Sequence, residues 1–131
     1  MIFVDTSVWV AALRRRESHE AERLDALLEA DDVALAAPVR FEILAGASRD
    51  ERPRLRRLLS ALPTFYPGPA TWSLLDGWLD LAGARGERLA VADALIAALA
   101  AEQAARVWSL DADFARMARL KLIDVYAPER G

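Results

Sequence analysis

The chain has 131 residues, 54% of them hydrophobic, with a formal charge of −3 and no cysteine. That length predicts one domain spanning 1–131, large enough to bury roughly 65–70% of the surface of its unfolded chain without covalent staples. The missing cysteine excludes disulfides, zinc–thiolate centres and cysteine nucleophiles. The negative balance excludes a globally basic surface that would coat nucleic acid, though not local basic patches.

The chain opens on the strand-like run Ile2–Asp5, with no basic leader ahead of a long apolar stretch. The longest apolar run, Leu89 to Ala101, is interrupted by Asp93 and too short to cross a bilayer, so a cytoplasmic protein is expected. Thr6 and Ser7 can cap a helix over Val8–Arg15, and His19–Ala30 carries Ala21, Leu24, Leu27 and Leu28 on one stripe. Val33–Ala36 reads as a second strand. Pro38 suits the first turn of a third helix that Gly46 ends. Glu51–Leu62 is a fourth helix, with Leu55, Leu58, Leu59 and Leu62 facing inward. Thr64–Tyr66, between two prolines, is a short strand. Ala70–Arg85 is a long helix left at Gly86, and Val91–Ala105, apolar on most sides, is a central one. Arg106–Leu110 is a strand, Asp111–Arg119 a short helix and Leu122–Tyr126 a closing strand. This alternation predicts an α/β fold, a mostly parallel sheet with helices on both faces, whose ligands bind beyond the carboxyl ends of the strands.

Four acids stand in apolar or strand-end settings. Asp5 closes Met1-Ile2-Phe3-Val4. Glu42 has Pro38, Val39, Ala45 and Gly46 as its helical neighbours and no cation among them. Asp93 has Leu89, Ala90, Ile96 and Ala97. Asp111 follows Val107-Trp108-Ser109-Leu110, with Asp113 as an alternative or outer partner. Each has a plain structural role available: Asp5 and Asp111 as helix caps, Glu42 as a solvated side chain, Asp93 as an anion at the first turn of a helix. The dipole stabilises such an anion by only ~0.3–1 kcal/mol, too little to offset burial of an unpaired charge. Grouped carboxylates repel, and keeping them ionised at neutral pH calls for a dication. Oxygen ligands suit Mg2+ or Mn2+ rather than zinc.

The segments Phe3-Val4-Asp5-Thr6-Ser7, Glu42-Ile43-Leu44-Ala45-Gly46, Ala92-Asp93-Ala94-Leu95-Ile96-Ala97-Ala98 and Ser109-Leu110-Asp111-Ala112-Asp113-Phe114, in this order, resemble the PIN-domain nucleases and, among them, the VapC-type toxins of toxin–antitoxin pairs. The resemblance spans nearly the whole chain. It implies a PIN-like three-layer α/β/α sandwich and a metal-dependent endoribonuclease. It carries catalytic metal ligation onto Asp5, Glu42, Asp93 and Asp111, and the family's small hydroxyl positions onto Thr6 or Ser7 and Ser109. Ser109 stands where threonine is more usual, and keeps the hydroxyl. It also implies a homodimer and a VapB-type antitoxin whose tail lies over the helices at Val8–Arg15, His19–Ala30 and Phe41–Leu62. Replacing Asp5 or Asp93 by asparagine is then expected to abolish cleavage and to raise metal-free stability by relieving repulsion.

Two other assignments compete. One is a PIN nuclease of RNA processing with no antitoxin. The other is a non-catalytic α/β binding module, such as a receiver-like domain, which needs a lysine near the end of its last strand; Lys121, the single lysine, precedes that strand. The arginines at 14–16 and at 52, 54, 56 and 57 are either phosphate contacts or solvated helix faces. His19, the one histidine, reads as a surface or helix-start residue.

Overall fold

A computed structural model describes residues 1–128. Five short strands form one wholly parallel sheet: β1 (Ile2–Val4), β2 (Val33–Ala36), β3 (Thr64–Phe65), β4 (Arg106–Trp108) and β5 (Asp124–Val125), in the order β3-β2-β1-β4-β5. Ile2 and Phe3 pair with Val33 and Ala34 on one side, and Ile2 to Val4 pair with Arg106 to Trp108 on the other. Every residue of β1 and β2 is buried. That explains their unbroken apolar sequence: a parallel strand covered on both faces has no polar side to alternate with.

The helices are α1 (Thr6–Arg14), α2 (His19–Glu29), α3 (Ala37–Gly46), α4 (Arg52–Ser60), α5 (Pro69–Ala84), α6 (Val91–Glu102) and α7 (Ala112–Arg119). α1 packs on α2 and α3, and α6 packs on α5 and α7. The connections from β1 run outward to β2 and β3, and the chain then crosses back to β4 and β5 on the other side of β1. The strand order therefore reverses between β1 and β4, the place where open parallel sheets form a crevice for ligands. α6 is the most enclosed helix, with Ala94 and Ile96 through Ala100 buried. Among the described residues no helix is long and apolar enough to cross a membrane.

Most element boundaries fall within two residues of the sequence reading, and the differences have local causes. α1 begins at Thr6 rather than Val8 because Asp5 itself takes the extended N-cap conformation, with φ −74° and ψ 158°. Thr6 and Ser7 thus lie inside the helix, and Asp5 makes no side-chain cap bond. β4 stops at Trp108 because the amides just beyond it turn away from the ladder, Leu110 N–H to the Ser7 hydroxyl and Asp111 N–H to that of Ser109. α6 ends at Glu102, three residues early, in a Schellman cap: the amides of Ala104 and Ala105 donate to the carbonyls of Ala101 and Ala100. Leu58, expected inward, is exposed, because the buried stripe of α4 runs through Leu55 and Leu59. Three of the four tryptophans, Trp9, Trp78 and Trp108, are buried, and Trp72 on α5 is half exposed.

Candidate active site

Asp5, at the carboxyl end of the central strand, is 6% exposed, one of two buried polar residues in the described chain. Its charge is held by hydroxyls rather than by a cation. Ser7 Oγ donates to Asp5 Oδ2 at 2.9 Å and Ser109 Oγ donates to the same oxygen at 2.7 Å. The two serine oxygens lie 3.2 Å apart. Ser7 and Ser109 accept backbone N–H groups from Leu110 and Asp111 at 3.0 Å each, which leaves their protons free for Asp5. This hydroxyl clasp joins the start of α1 to the β4–α7 turn and leaves Asp5 Oδ1 clear of the clasp's hydrogen bonds. Charge-assisted hydrogen bonds of this kind contribute about 1.5–3 kcal/mol each.

The β4–α7 turn and the first turn of α6 bring three carboxylates together. One oxygen from each of Asp93, Asp111 and Asp113 lies within 4.8 Å of the other two. Asp111 is also the cap of α7, its Oδ1 accepting from Asp113 N–H at 3.0 Å. The two roles are compatible, since a carboxylate has lone pairs for both. Asp113 forms an ion pair with Arg116 at 3.1 Å, and Arg116 reaches Glu87 at 3.7 Å. Among the described residues no arginine, lysine or histidine forms an ion pair with Asp5, Glu42, Asp93 or Asp111.

The titration behaviour follows from that crowding. Asp93 is pushed from its usual 3.8 up to about 7: burial is the largest cause, followed by a hydrogen bond with the Asp113 carboxyl and then the charges of Asp111, Asp5 and Asp113. Glu42 is also raised, first by burial and then by the Asp5 charge, with Thr6 opposing. The Thr6 hydroxyl oxygen nonetheless meets no partner at hydrogen-bonding geometry and is shut off from solvent. Asp5 is therefore the electrostatic centre of the set, felt by Glu42 on α3 and by Asp93 on α6.

The tight oxygen group is thus Asp93, Asp111 and Asp113, with Asp5 beside it and Glu42 joined to it through Asp5's field. The sequence named all five and ranked Asp113 as the spare. What it missed is the Arg116–Glu87 link that steadies Asp113; the signal was the three-residue spacing of Asp113 and Arg116 on one helix face. Carboxylates at these separations, an orphaned hydroxyl nearby and an acid held half-protonated near neutrality together fit a hard divalent cation.

The PIN domain profile matches residues 2–120. The chain belongs to the PIN-domain family. It is 38% identical over 125 residues to ribonuclease VapC11 of Mycobacterium tuberculosis, covering 92% of this chain and 93% of that one, and equally to a VapC ribonuclease of Mycobacterium bovis. Among solved structures it superposes on VapBC2 from Rickettsia felis, determined bound to a DNA fragment from their promoter, with a TM-score of 0.77, 18% identity and coverage of 96% of this chain and 98% of that one. This last likeness supports the PIN-type α/β/α fold.

The basic clusters of this PIN domain divide in two. Arg16 is paired with Asp25 at 2.7 Å, and Arg52 donates to the Leu44 and Ala47 carbonyls at 2.9 and 3.1 Å, closing the end of α3, which has no basic residue in its own last turn. Arg54, Arg56 and Arg57 are exposed on α4. The clasp makes its own forecast. If the acidic group holds a dication, Ser109→Ala, which removes the shortest bond to Asp5, should weaken its affinity for added Mg2+ about 10–100-fold by calorimetry, while Ser109→Thr stays within threefold of wild type. Equal affinity in all three proteins would refute that role.

Proposed function

We propose that this chain is a metal-dependent endoribonuclease, a hydrolase of RNA phosphodiester bonds, acting as the toxin of a VapBC-type toxin–antitoxin pair in the cytoplasm. The observation that carries the reading is the convergence of Asp93, Asp111 and Asp113 within 4.8 Å of one another, beside Asp5. The VapC names of its relatives support the ribonuclease assignment. One PIN-type unit is proposed for the whole chain, 1–131, of which the last three residues lie outside the described structure.

Asp93, Asp111 and Asp113 would hold Mg2+ or Mn2+, with Asp5 offering its free Oδ1 and Glu42 completing the set directly or through water. A bound dication supplies a water made acidic enough to attack the phosphorus, and a positive charge opposite the developing oxyanion. The chain's own part is positional. Ser7 and Ser109 fix the Asp5 carboxylate, α7's cap orients Asp111, and Arg116 steadies Asp113. Thr6 stands beside Glu42. No histidine is required as base.

The antitoxin is proposed to use the 330 Å³ cavity between α1, α3 and α4, lined by Val10, Leu13, Ile43 and Leu55 with Arg14 and Glu42 at its polar side. Because Glu42 belongs to both, a segment seated there reaches the acidic site. The resemblance adds a homodimer, and exposed Trp72 and Leu79, seven residues apart on α5, suit an interface. The deciding experiment is an assay on total RNA with Mg2+, Mn2+ or chelator, followed by end mapping. Discrete products that vanish with chelator are expected; products independent of metal, or none at all, would end the assignment.

A further inference from the structure

The cavity of about 320 Å³ beside Asp111 has Trp108 and Phe114 in its walls, both buried, so it shows a ligand no open ring there. An open ring lies instead on α3, next to Glu42. Phe41 is 55% exposed, although its helix buries Val39, Ile43 and Leu44. Phenylalanine has no polar atom for water to solvate, so this exposure costs stability unless something covers the ring. Phe41 lines a groove of about 380 Å³ with Arg40, Leu44 and Ala45 of α3 and Arg52 and Arg56 of α4. Three of these six residues are arginines and none is acidic. At roughly 100° per residue, they sit on the side of α3 away from Glu42, Ile43, Gly46 and Ala47, which line the cavity assigned to the antitoxin.

The two helices are clamped at both ends of the groove. Arg40 donates to Ser60 Oγ at 3.1 Å, and Arg52 donates to the Leu44 and Ala47 carbonyls. A guanidinium has more N–H donors than either clamp uses, and its charge is not neutralised by a hydroxyl or a carbonyl. Arg56 lies one turn from Arg52 and one turn from Ser60; it is exposed and has no ion-pair partner among the described residues. Arg52 and Arg56 are about 6 Å apart along the helix axis, close to the phosphate repeat of an extended nucleotide strand. The groove also adjoins the acidic group. α3 leaves the sheet at the carboxyl end of β2, beside the end of β1 that carries Asp5, and Phe41 directly precedes Glu42.

We propose that the groove between α3 and α4 is a track for single-stranded RNA leading to the acidic group, with a base stacked on Phe41 and the flanking phosphates held by Arg40, Arg52 and Arg56. The inference rests on the ribonuclease reading and deepens it by naming where substrate away from the cleavage point is gripped. Charge and shape select the occupant. The chain carries a net −3, so a phosphate chain is attracted only where cations gather without acids among them, as they do in this groove. A docked amphipathic helix needs a row of apolar contacts, whereas the groove offers one large open apolar side chain, Leu44 being 7% exposed. A stacked nucleotide needs one open ring with cations beside it. Every base has a π-face, so the track tolerates sequence. Duplex RNA, whose bases are already stacked, gains nothing from Phe41.

The test is fluorescence anisotropy of the full chain with a labelled oligouridylate, in chelator so that the probe stays intact. Phe41→Ala is expected to weaken binding about tenfold and Phe41→Trp to hold it within about twofold of wild type. Arg56→Ala should flatten the plot of log affinity against log salt by about 0.7, and Arg56→Lys should restore the slope. An abasic ribose-phosphate probe of the same length should bind wild type and Phe41→Ala alike. No binding by wild type, full binding by Phe41→Ala, or an equal loss with the abasic probe would overturn the proposal. So would a polyglutamate peptide of matched charge that binds as tightly and depends as much on Phe41, which would make the groove a seat for an acidic protein segment. Cleavage assays separate the track from the nuclease reading. Metal-dependent cleavage at the wild-type rate by both Phe41→Ala and Arg56→Ala at subsaturating RNA overturns the track and leaves the nuclease standing. Phe41-dependent binding of the oligouridylate by a protein that cuts no RNA supports the track and overturns the nuclease.

Discussion

Asp93→Asn is expected to lower kcat/KM for RNA cleavage by ~10³-fold, about 4 kcal/mol of transition-state stabilisation, while making the chelated protein more stable. The two effects have one cause. Asp93 is partly buried among Asp111, Asp113 and Asp5, and is pushed up to about 7 because its ionised form is disfavoured there. Without a cation, asparagine relieves that repulsion; with substrate and metal, it removes a proposed ligand. Asp93 is only partly shielded, so solvent screening leaves ~1 kcal/mol of the repulsion, a rise of about 3–5 °C in Tm. Asp5 behaves differently. Its charge is already met by the Ser7 and Ser109 hydroxyls, so Asp5→Asn should abolish cleavage with no gain in Tm, and the stabilisation that sequence alone suggested for both positions is expected only at Asp93. Melting curves in chelator, alongside cleavage assays in Mg2+, check both halves. A large fall in Tm for Asp93→Asn would mean that the carboxylate has a stabilising partner in the fold.

A second large effect is an inverted pH dependence of the metal-free protein. Asp93 has a folded-state pKa of about 7 against a usual 3.8, and Glu42 is raised in the same direction. Between those limits the folded chain binds more protons than the unfolded one, so this contribution to stability declines as pH rises from about 4 through 7, and levels off above the folded value. Paired carboxylates in ordinary proteins give the opposite slope. Magnesium should reverse it, because the dication binds the ionised form and only the folded state gathers the ligands. The Tm gain on adding Mg2+ should be small at pH 5 and largest near pH 8. Differential scanning fluorimetry across that range, with chelator and with Mg2+, decides the matter. The prediction fails if chelated wild type grows steadily more stable with pH, or if Asp93→Asn keeps the wild-type slope.

Much of this was legible in the sequence because burial leaves plain marks on it. Ile2-Phe3-Val4 and Val33–Ala36 are apolar without alternation, and both are fully covered strands. Asp93 stood out as an acid in an apolar helix, and the fold sets it among Asp111, Asp113 and Asp5. Spatial ranking within the acids was not legible. Asp111 and Asp113 are two residues apart at a helix start, and only the turn geometry tells which oxygens converge. The clasp on Asp5 was hidden for another reason: Ser7 and Ser109 are 102 positions apart, and hydroxyls carry no hydropathy signal. The cavity beside Asp111 was invisible because its walls, Trp108 and Phe114 among them, read individually as core. Helix ends such as that of α6 were overrun because an alanine-rich run keeps its periodicity past the point where the Schellman cap reverses the chain.

The clasp has a consequence for how the protein is made. Asp5 and Ser109 are 104 positions apart, so the clasp closes only in a chain that has reached the β4–α7 turn. A chain cut short before that turn has neither an anchored Asp5 nor Asp111, so the acidic group cannot assemble in it. The clasp thereby ties assembly of the acidic group to the folding of both halves of the sheet around β1.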